Sequence, residues 1–147
     1  MKQRSRSREV ALQYLYQVDM TGSHTEQAMQ DFFAHFVEDV ELVPYAKDII
    51  AGVCDHLVEI DELIEKASTN WSVSRMSATD RNILRIAAYE LAFRDDVPYK
   101  VVINEAIEIA KRYGSPKLPS FANGVLDRVW NLISGGRDDG GDQEGLT

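Results

Sequence analysis

The sequence predicts an all-α protein, a compact bundle of two small helical subdomains. Three observations carry this. Every long segment places its apolar residues at three- and four-residue steps, the period of a helix with one buried face. No segment keeps the strict apolar–polar alternation of a half-buried strand. The breaks between segments hold helix-boundary residues, among them Gly22, Thr25, Pro44, Gly114 and Pro119. A chain of 147 residues, 44% hydrophobic and 27% charged, is long enough to bury one real core.

Each element follows from its own residues. A basic start, residues 1–6, is expected to be extended. The first helix runs from Ser7 to Met20, with Val10, Ala11, Tyr14, Leu15 and Val18 on one face, and Thr21-Gly22-Ser23 ends it. Thr25 is a good N-cap for a second helix carrying Phe32, Phe33, Phe36, Val37 and Val40. Pro44 suits the first position of a third helix, whose apolar stripe runs unbroken from Tyr45 to Ile64. Ser68–Ser77 reads as a linker. A fourth helix opens between Ser77 and Asp80 and buries Ile83, Leu84, Ile86, Ala87 and Leu91. Asp95-Asp96-Val97-Pro98 separates it from a fifth, which stops at Gly114, a natural left-handed cap. The sixth starts near Pro119 and buries Phe121, Val125, Leu126, Val129, Trp130 and Ile133. Residues 1–133 therefore form the helical domain. Residues 134–147, rich in glycine and acid, read as a disordered tail.

Composition excludes several functions. The single cysteine, Cys54, rules out an intramolecular disulfide and suits a reducing cytoplasm. Its place on the apolar stripe of the third helix reads as a structural thiol. No apolar run is long enough to span a bilayer. His24, His35 and His56 stand apart from one another and from Cys54, so no metal site is expected. No phosphate-cradling glycine loop is present, and no catalytic constellation or cofactor site emerges. Asn123-Gly124 falls inside a helical period. A glycine there implies close approach of a neighbouring backbone or ligand.

Charge is distributed unevenly. Lys2, Arg4, Arg6 and Arg8 occupy the first eight residues without an acid, and the remainder holds 12 bases against 24 acids. A chain of net charge −8 does not attract polyanions by bulk charge, so any such binding is local. A row of arginines can track a phosphate backbone. Tyr16, two helical turns beyond Arg8, adds a ring on which an unpaired base can stack. With about five phosphates neutralised, log K would fall with log salt at a slope of roughly −3.5.

Four stretches, RSREVALQYLYQVDM, DRNILRIAAYEL, PYKVVINEAIEIAKRYG and FANGVLD, closely resemble the NusB family of bacterial transcription antitermination factors. The resemblance spans about Arg4 to Ile133. It implies a fold of two small helical subdomains and no enzymatic activity. It also implies binding of single-stranded boxA RNA from ribosomal RNA leaders, with the small-subunit ribosomal protein NusE as partner and RNA polymerase and other Nus factors in the larger complex. Carried over by position, the RNA contacts are Arg4, Arg6, Arg8, Tyr16, Arg85 and Phe121. Lys2 joins them as part of the basic start, and Lys117 on charge alone. Asp80 and Arg81, opening the fourth helix, are the expected partner-binding residues, since an acidic body complements a basic ribosomal protein. A scaffold that holds this partner without touching RNA is the alternative. Apolar helix faces could also pair two copies of the chain. Ala122 stands where valine is common in the family, a small loss of volume beside Phe121.

Overall fold

The computed structural model describes residues 2–135. The described chain is all helix, turn and loop. The order is α1 (Gln3–Thr21), α2 (Glu26–Phe36), α3 (Val43–Asp55), α4 (Leu57–Ala67), α5 (Ala78–Phe93), α6 (Tyr99–Tyr113) and α7 (Leu118–Ser134). Single 3-10 turns at Val40–Leu42 and Val73–Arg75 lie in the connections. The expected all-α architecture is present. None of the described helices is long and apolar enough to cross a membrane.

Helix α5 is the axis of the bundle. It packs against α1 and α3 on the N-terminal side and against α4, α6 and α7 on the C-terminal side. Its register explains this. Ile83, Leu84, Ile86, Ala87, Ala88 and Leu91 are all buried, leaving little of the helix for solvent. A helix apolar on most of its circumference must be surrounded. The two halves share one continuous core, with Ile49, Ile50, Ile60, Ile64, Leu84 and Leu126 fully inaccessible.

The caps follow the sequence closely. Thr25 Oγ1 accepts from the Ala28 amide at 3.0 Å and Ser77 Oγ from the Asp80 amide at 3.1 Å. Each satisfies one of the orphan donors of a helix start. Gly22, at φ 75°, closes α1 in the left-handed region.

Five features differ from expectation. Residues 3–6 are not extended, because α1 begins at Gln3. No Pro or Gly stands between these residues and Ser7, and carboxylates from other segments pair with Arg4, Arg6 and Arg8 and offset their like charges at four-residue spacing, so the helix continues toward its N-terminus. The long third helix is two, broken at His56 (φ −118°, ψ 27°). The apolar stripe runs across the break, which lets α3 follow α1 while α4 turns to α7. Val40 falls in the 3-10 turn beyond α2. Gly114 ends α6 with an extended backbone (φ −85°, ψ 173°), not a left-handed one. Its reason is steric, since a Cβ there would sit 2.6 Å from Leu118 Cδ2. The domain edge expected at residue 133 shifts slightly, because Ser134 still belongs to α7. The rest of the predicted tail lies outside the described residues.

Gly52 marks the tightest helix crossing. A Cβ at this position would lie 2.1 Å from the Tyr89 ring of α5. Tyr89 is buried and its hydroxyl donates to Asp48 at 2.9 Å, so the ring has little room to yield. Gly52→Ala is expected to lower the unfolding free energy by about 1–3 kcal/mol through overpacking, read from urea denaturation.

Candidate nucleic-acid interface

Because α1 is helical from Gln3, alternate residues rotate around it by ~200° per step, and its arginines meet three environments. Arg8 points inward. Its side chain is 4% exposed, and Nε and Nη2 each donate to Glu90 at 2.8 Å while Nη1 reaches Glu105 at 3.1 Å. Glu90 also accepts from the Tyr45 hydroxyl, and Glu105 from Ser5 Oγ. Burial works against the charge of Arg8, but the Glu90 hydrogen bonds and the nearby carboxylates outweigh it and raise its pKa. Arg8 is thus a buried structural cation, and its expected role as a phosphate contact does not fit this geometry.

Arg4 and Arg6 are different. Arg4 remains 46% exposed. It pairs with Asp96 at 3.1 Å, and its guanidinium lies 4.3 Å from the Tyr45 ring centroid. Arg94 lies 4.8 Å from the same ring and donates to Asp96 and Asp48. The hydrogen bonds from Arg94 and Arg4 hold the Asp96 carboxyl well below the usual range. Arg6 is 48% exposed and meets Asp39 at 3.4 Å. Exposed pairs of this kind contribute about 0–1 kcal/mol, so a phosphate can displace the carboxylate. The buried pair of Arg8 offers no such exchange.

Arg85 repeats the pattern of Arg8. Nε and Nη2 grip both Asp61 oxygens at 2.8 and 2.9 Å, and Nη1 reaches Asp19 at 3.3 Å. Its side chain is 10% exposed, and its expected RNA contact is likewise replaced by a structural role. Arg81 donates to Asp19 at 2.7 Å and to the carbonyls of Val73, Ser74 and Met76, clamping the linker onto α5. Asp80 accepts from the amide and hydroxyl of Ser115 at 3.0 and 2.6 Å. Both expected partner-binding residues therefore hold the chain to itself.

Two adjoining grooves collect the remaining candidates. One, of about 540 Å³, is lined by Arg6, Tyr16, Val10, Gln13, Thr79 and Tyr113. Tyr16 is 43% and Tyr113 51% exposed. Arg112 and Tyr113 are fastened to α1 through Glu9. The other, of about 900 Å³, holds Lys117 and Phe121 beside Trp71, Arg75 and Asp80. Thr79 and Asp80, consecutive in the first turn of α5, wall one groove each. Lys2 is exposed at the start of α1.

Tyr113, Trp71 and Arg75 were not among the sequence candidates. The signal for Trp71 was available, since a tryptophan in a polar linker has no helical face to bury. Gly124 gives the opposite lesson. A Cβ there would meet only Arg128 of its own helix, at 3.5 Å, so no neighbouring segment demands this glycine.

No cluster that could hold a metal ion occurs among the described residues. His24 shares a 2.8 Å hydrogen bond with Tyr14, and His56 contacts Glu59 at 3.0 Å. Cys54 is half-buried, and burial pushes its thiol up to about 11. A thiol this basic is a poor nucleophile.

A helical body that buries the ion pairs of Arg8 and Arg85 and presents rings and cations along two grooves has the surface of a binding protein. A model of the NusB family matches residues 5–131, and the chain belongs to that family. It is 46% identical over 129 residues to the transcription antitermination protein NusB of Sorangium cellulosum, covering 88% of this chain and 92% of that one. The solved structure of T. maritima NusB is similar at 37% identity and a TM-score of 0.76, over 87% of this chain and 90% of the other. A crystal structure of the antitermination factors NusB and NusE in complex with dsRNA contains a chain 27% identical, with a TM-score of 0.78 over 90% of this chain and 98% of that one. The family is one of transcription antitermination factors and not of enzymes.

Proposed function

We propose that the chain grips unpaired boxA RNA of ribosomal RNA leader transcripts through the groove of Arg6, Tyr16 and Tyr113, and works in the cytoplasm with NusE, other Nus factors and RNA polymerase. The observation that carries this is the shared groove of Arg6 and Tyr16, an exchangeable cation beside an exposed ring. Phosphates pair with Lys2, Arg4 and Arg6, and bases stack on Tyr16. The strand then continues over the first turn of α5 toward Lys117 and Phe121. Arg8 and Arg85 serve the stability of the bundle through their ion pairs and take no part in gripping RNA. With Arg8 and Arg85 internal, about three or four phosphates are neutralised, and the salt slope falls to roughly −2 to −3. A basic partner such as NusE suits the negative body and would extend the positive surface. The neighbouring structure that contains NusE and dsRNA lends support to both partners.

The test is a titration of boxA RNA with and without NusE. Tyr16→Ala is expected to weaken RNA binding about 5- to 150-fold, the value of one base stack, at unchanged stability. Arg4→Ala with Arg6→Ala should flatten the salt slope by about 1.4. Unaltered affinity in all these variants at physiological salt would refute the groove and leave the scaffold alternative.

A further inference from the structure

Helices α1, α6 and α7 bring the two ends of the described chain to one end of the bundle. Contacts between α1 and α6 run in parallel order. Arg4 pairs with Asp96 just before α6, Ser5 meets Glu105, and Glu9 pairs with Arg112 near the close of α6. Helix α7 runs the other way. Its start meets the end of α6, where a Cβ on Gly114 would press on Leu118. Trp130, about one turn before α7 ends, stacks on Tyr99 at the start of α6, with centroids 5.0 Å apart and planes at 5°. Helix α7 is therefore antiparallel to α1, and it stops at the end of the bundle that carries Lys2, Arg4 and Arg6.

The cations at this end are incompletely matched by the described residues. Arg4 shares the Asp96 carboxylate with Arg94, which gives it two hydrogen bonds at 2.9 Å against one from Arg4 at 3.1 Å. Arg6 has one partner, Asp39, at 3.4 Å. Lys2, and Lys100 beside Tyr99, are exposed and make neither a side-chain hydrogen bond nor an ion pair. Arg75 and Lys117, the cations of the larger groove, belong to the opposite end, where α6 gives way to α7.

The sequence supplies acid where α7 stops. Residues 136–147 lie outside the described residues and beyond the stretch that the family model matches. They hold Asp138, Asp139, Asp142 and Glu144 against one base, Arg137. A segment of this length reaches at most about 40 Å from Gly135, and its first acid comes three residues on. A short tether gives its ligand an effective concentration on the order of millimolar, which populates contacts that are weak one by one. Its carboxylates offer Lys2, Arg4 and Arg6 the same anionic oxygens that a phosphate does, while the acidic remainder of the body repels it.

We propose that residues 136–147 fold back on the start of α1 and compete with RNA phosphates for Lys2, Arg4 and Arg6. The proposal rests on the RNA-binding function proposed above and adds a regulation to it. RNA displaces the segment on binding, and the apparent affinity falls with the fraction of molecules whose start is covered.

The test compares three proteins: the full chain, a form ending at Gly135, and the full chain with Asp138→Asn, Asp139→Asn, Asp142→Asn and Glu144→Gln. Without RNA, the amide NMR signals of residues 2–6 in the full chain are expected to differ from those in the other two at about 50 mM salt. They should coincide at about 500 mM, where screening acts within roughly 4 Å. With boxA RNA at the lower salt, both altered proteins should bind about 3- to 10-fold more tightly than the full chain. The gap should close as salt rises, and Arg4→Ala with Arg6→Ala should close it too. General repulsion between RNA and the acids would tighten binding without moving the signals of residues 2–6. Unmoved signals therefore overturn the proposal, and so does equal RNA affinity in all three proteins; both outcomes leave the first groove standing. A gap that needs NusE makes the segment a partner-binding element and also overturns the proposal. Failure of every form to bind RNA overturns both readings. The full-length variant keeps all of α7, and its result decides the matter if the shorter form unfolds.

Discussion

Arg8→Ala is expected to lower the unfolding free energy by about 3–5 kcal/mol, because it strands the Glu90 carboxylate, 1% exposed, in the interior. The Tyr45 hydroxyl would be its remaining side-chain donor. A loss of this size is a large fraction of the stability of a small domain. Urea denaturation reads it directly. Replacing both partners, Arg8→Met with Glu90→Met, should restore part of the loss, since apolar pairs often match buried ion pairs. The recovery stays incomplete because the Tyr45 hydroxyl and Glu105 then lose partners. Under conditions where Arg8→Ala remains folded, its RNA affinity should equal that of the parent protein. Unchanged stability with weakened RNA binding would contradict the buried pair and return Arg8 to the interface.

Asp19→Asn is the second large effect. One carboxylate accepts from Arg81 at 2.7 Å, Asn82 at 2.8 Å and Arg85 at 3.3 Å; an amide keeps one accepting oxygen, loses the charge and turns the other position into a donor facing donors. Hydrogen bonds to charged groups are each worth about 1.5–3 kcal/mol, and partial exposure of the site favours a total loss of about 2–3 kcal/mol at pH 7. Burial raises the pKa of Asp19, but the hydrogen bond from Arg81 and the charge of Arg85 prevail and lower it. A lowered carboxyl pKa stabilises the folded state fully above the unfolded value near ~3.9, and this contribution disappears as pH falls through the folded value. The parent protein should therefore lose stability below about pH 4, and Asp19→Asn should lose less there. Equal acid slopes for the two proteins would remove Asp19 from the account.

Helix existence and type were legible because apolar period and caps act locally. Thr25 and Ser77 specify their helix starts through side-chain oxygens that need no tertiary partner. The break at His56 was not legible, since no Pro or Gly marks it and the apolar stripe continues through it. It arises from two packing directions, with α3 along α1 and α4 along α7. The candidate site divides in the same way. Exposed rings such as Tyr16 could be read from one helix. The fate of an arginine could not, because Glu90 lies 82 positions from Arg8, and Asp61 lies 24 from Arg85. A basic residue near a helix start looks the same in sequence whether it faces solvent or a distant acid. Trp71 shows the converse: its polar linker was a signal for an exposed ring, but nothing local signals the hydrogen bonds to Ser68 that fasten its backbone.

The consecutive placement of Thr79 and Asp80 has a mechanical consequence. The two grooves share the capped first turn of α5 as a wall, and the flanking segments are bolted to that turn by Ser115 and Arg81. The turn is expected to act as a fixed gauge, to which the strand proposed above would adapt its own pitch.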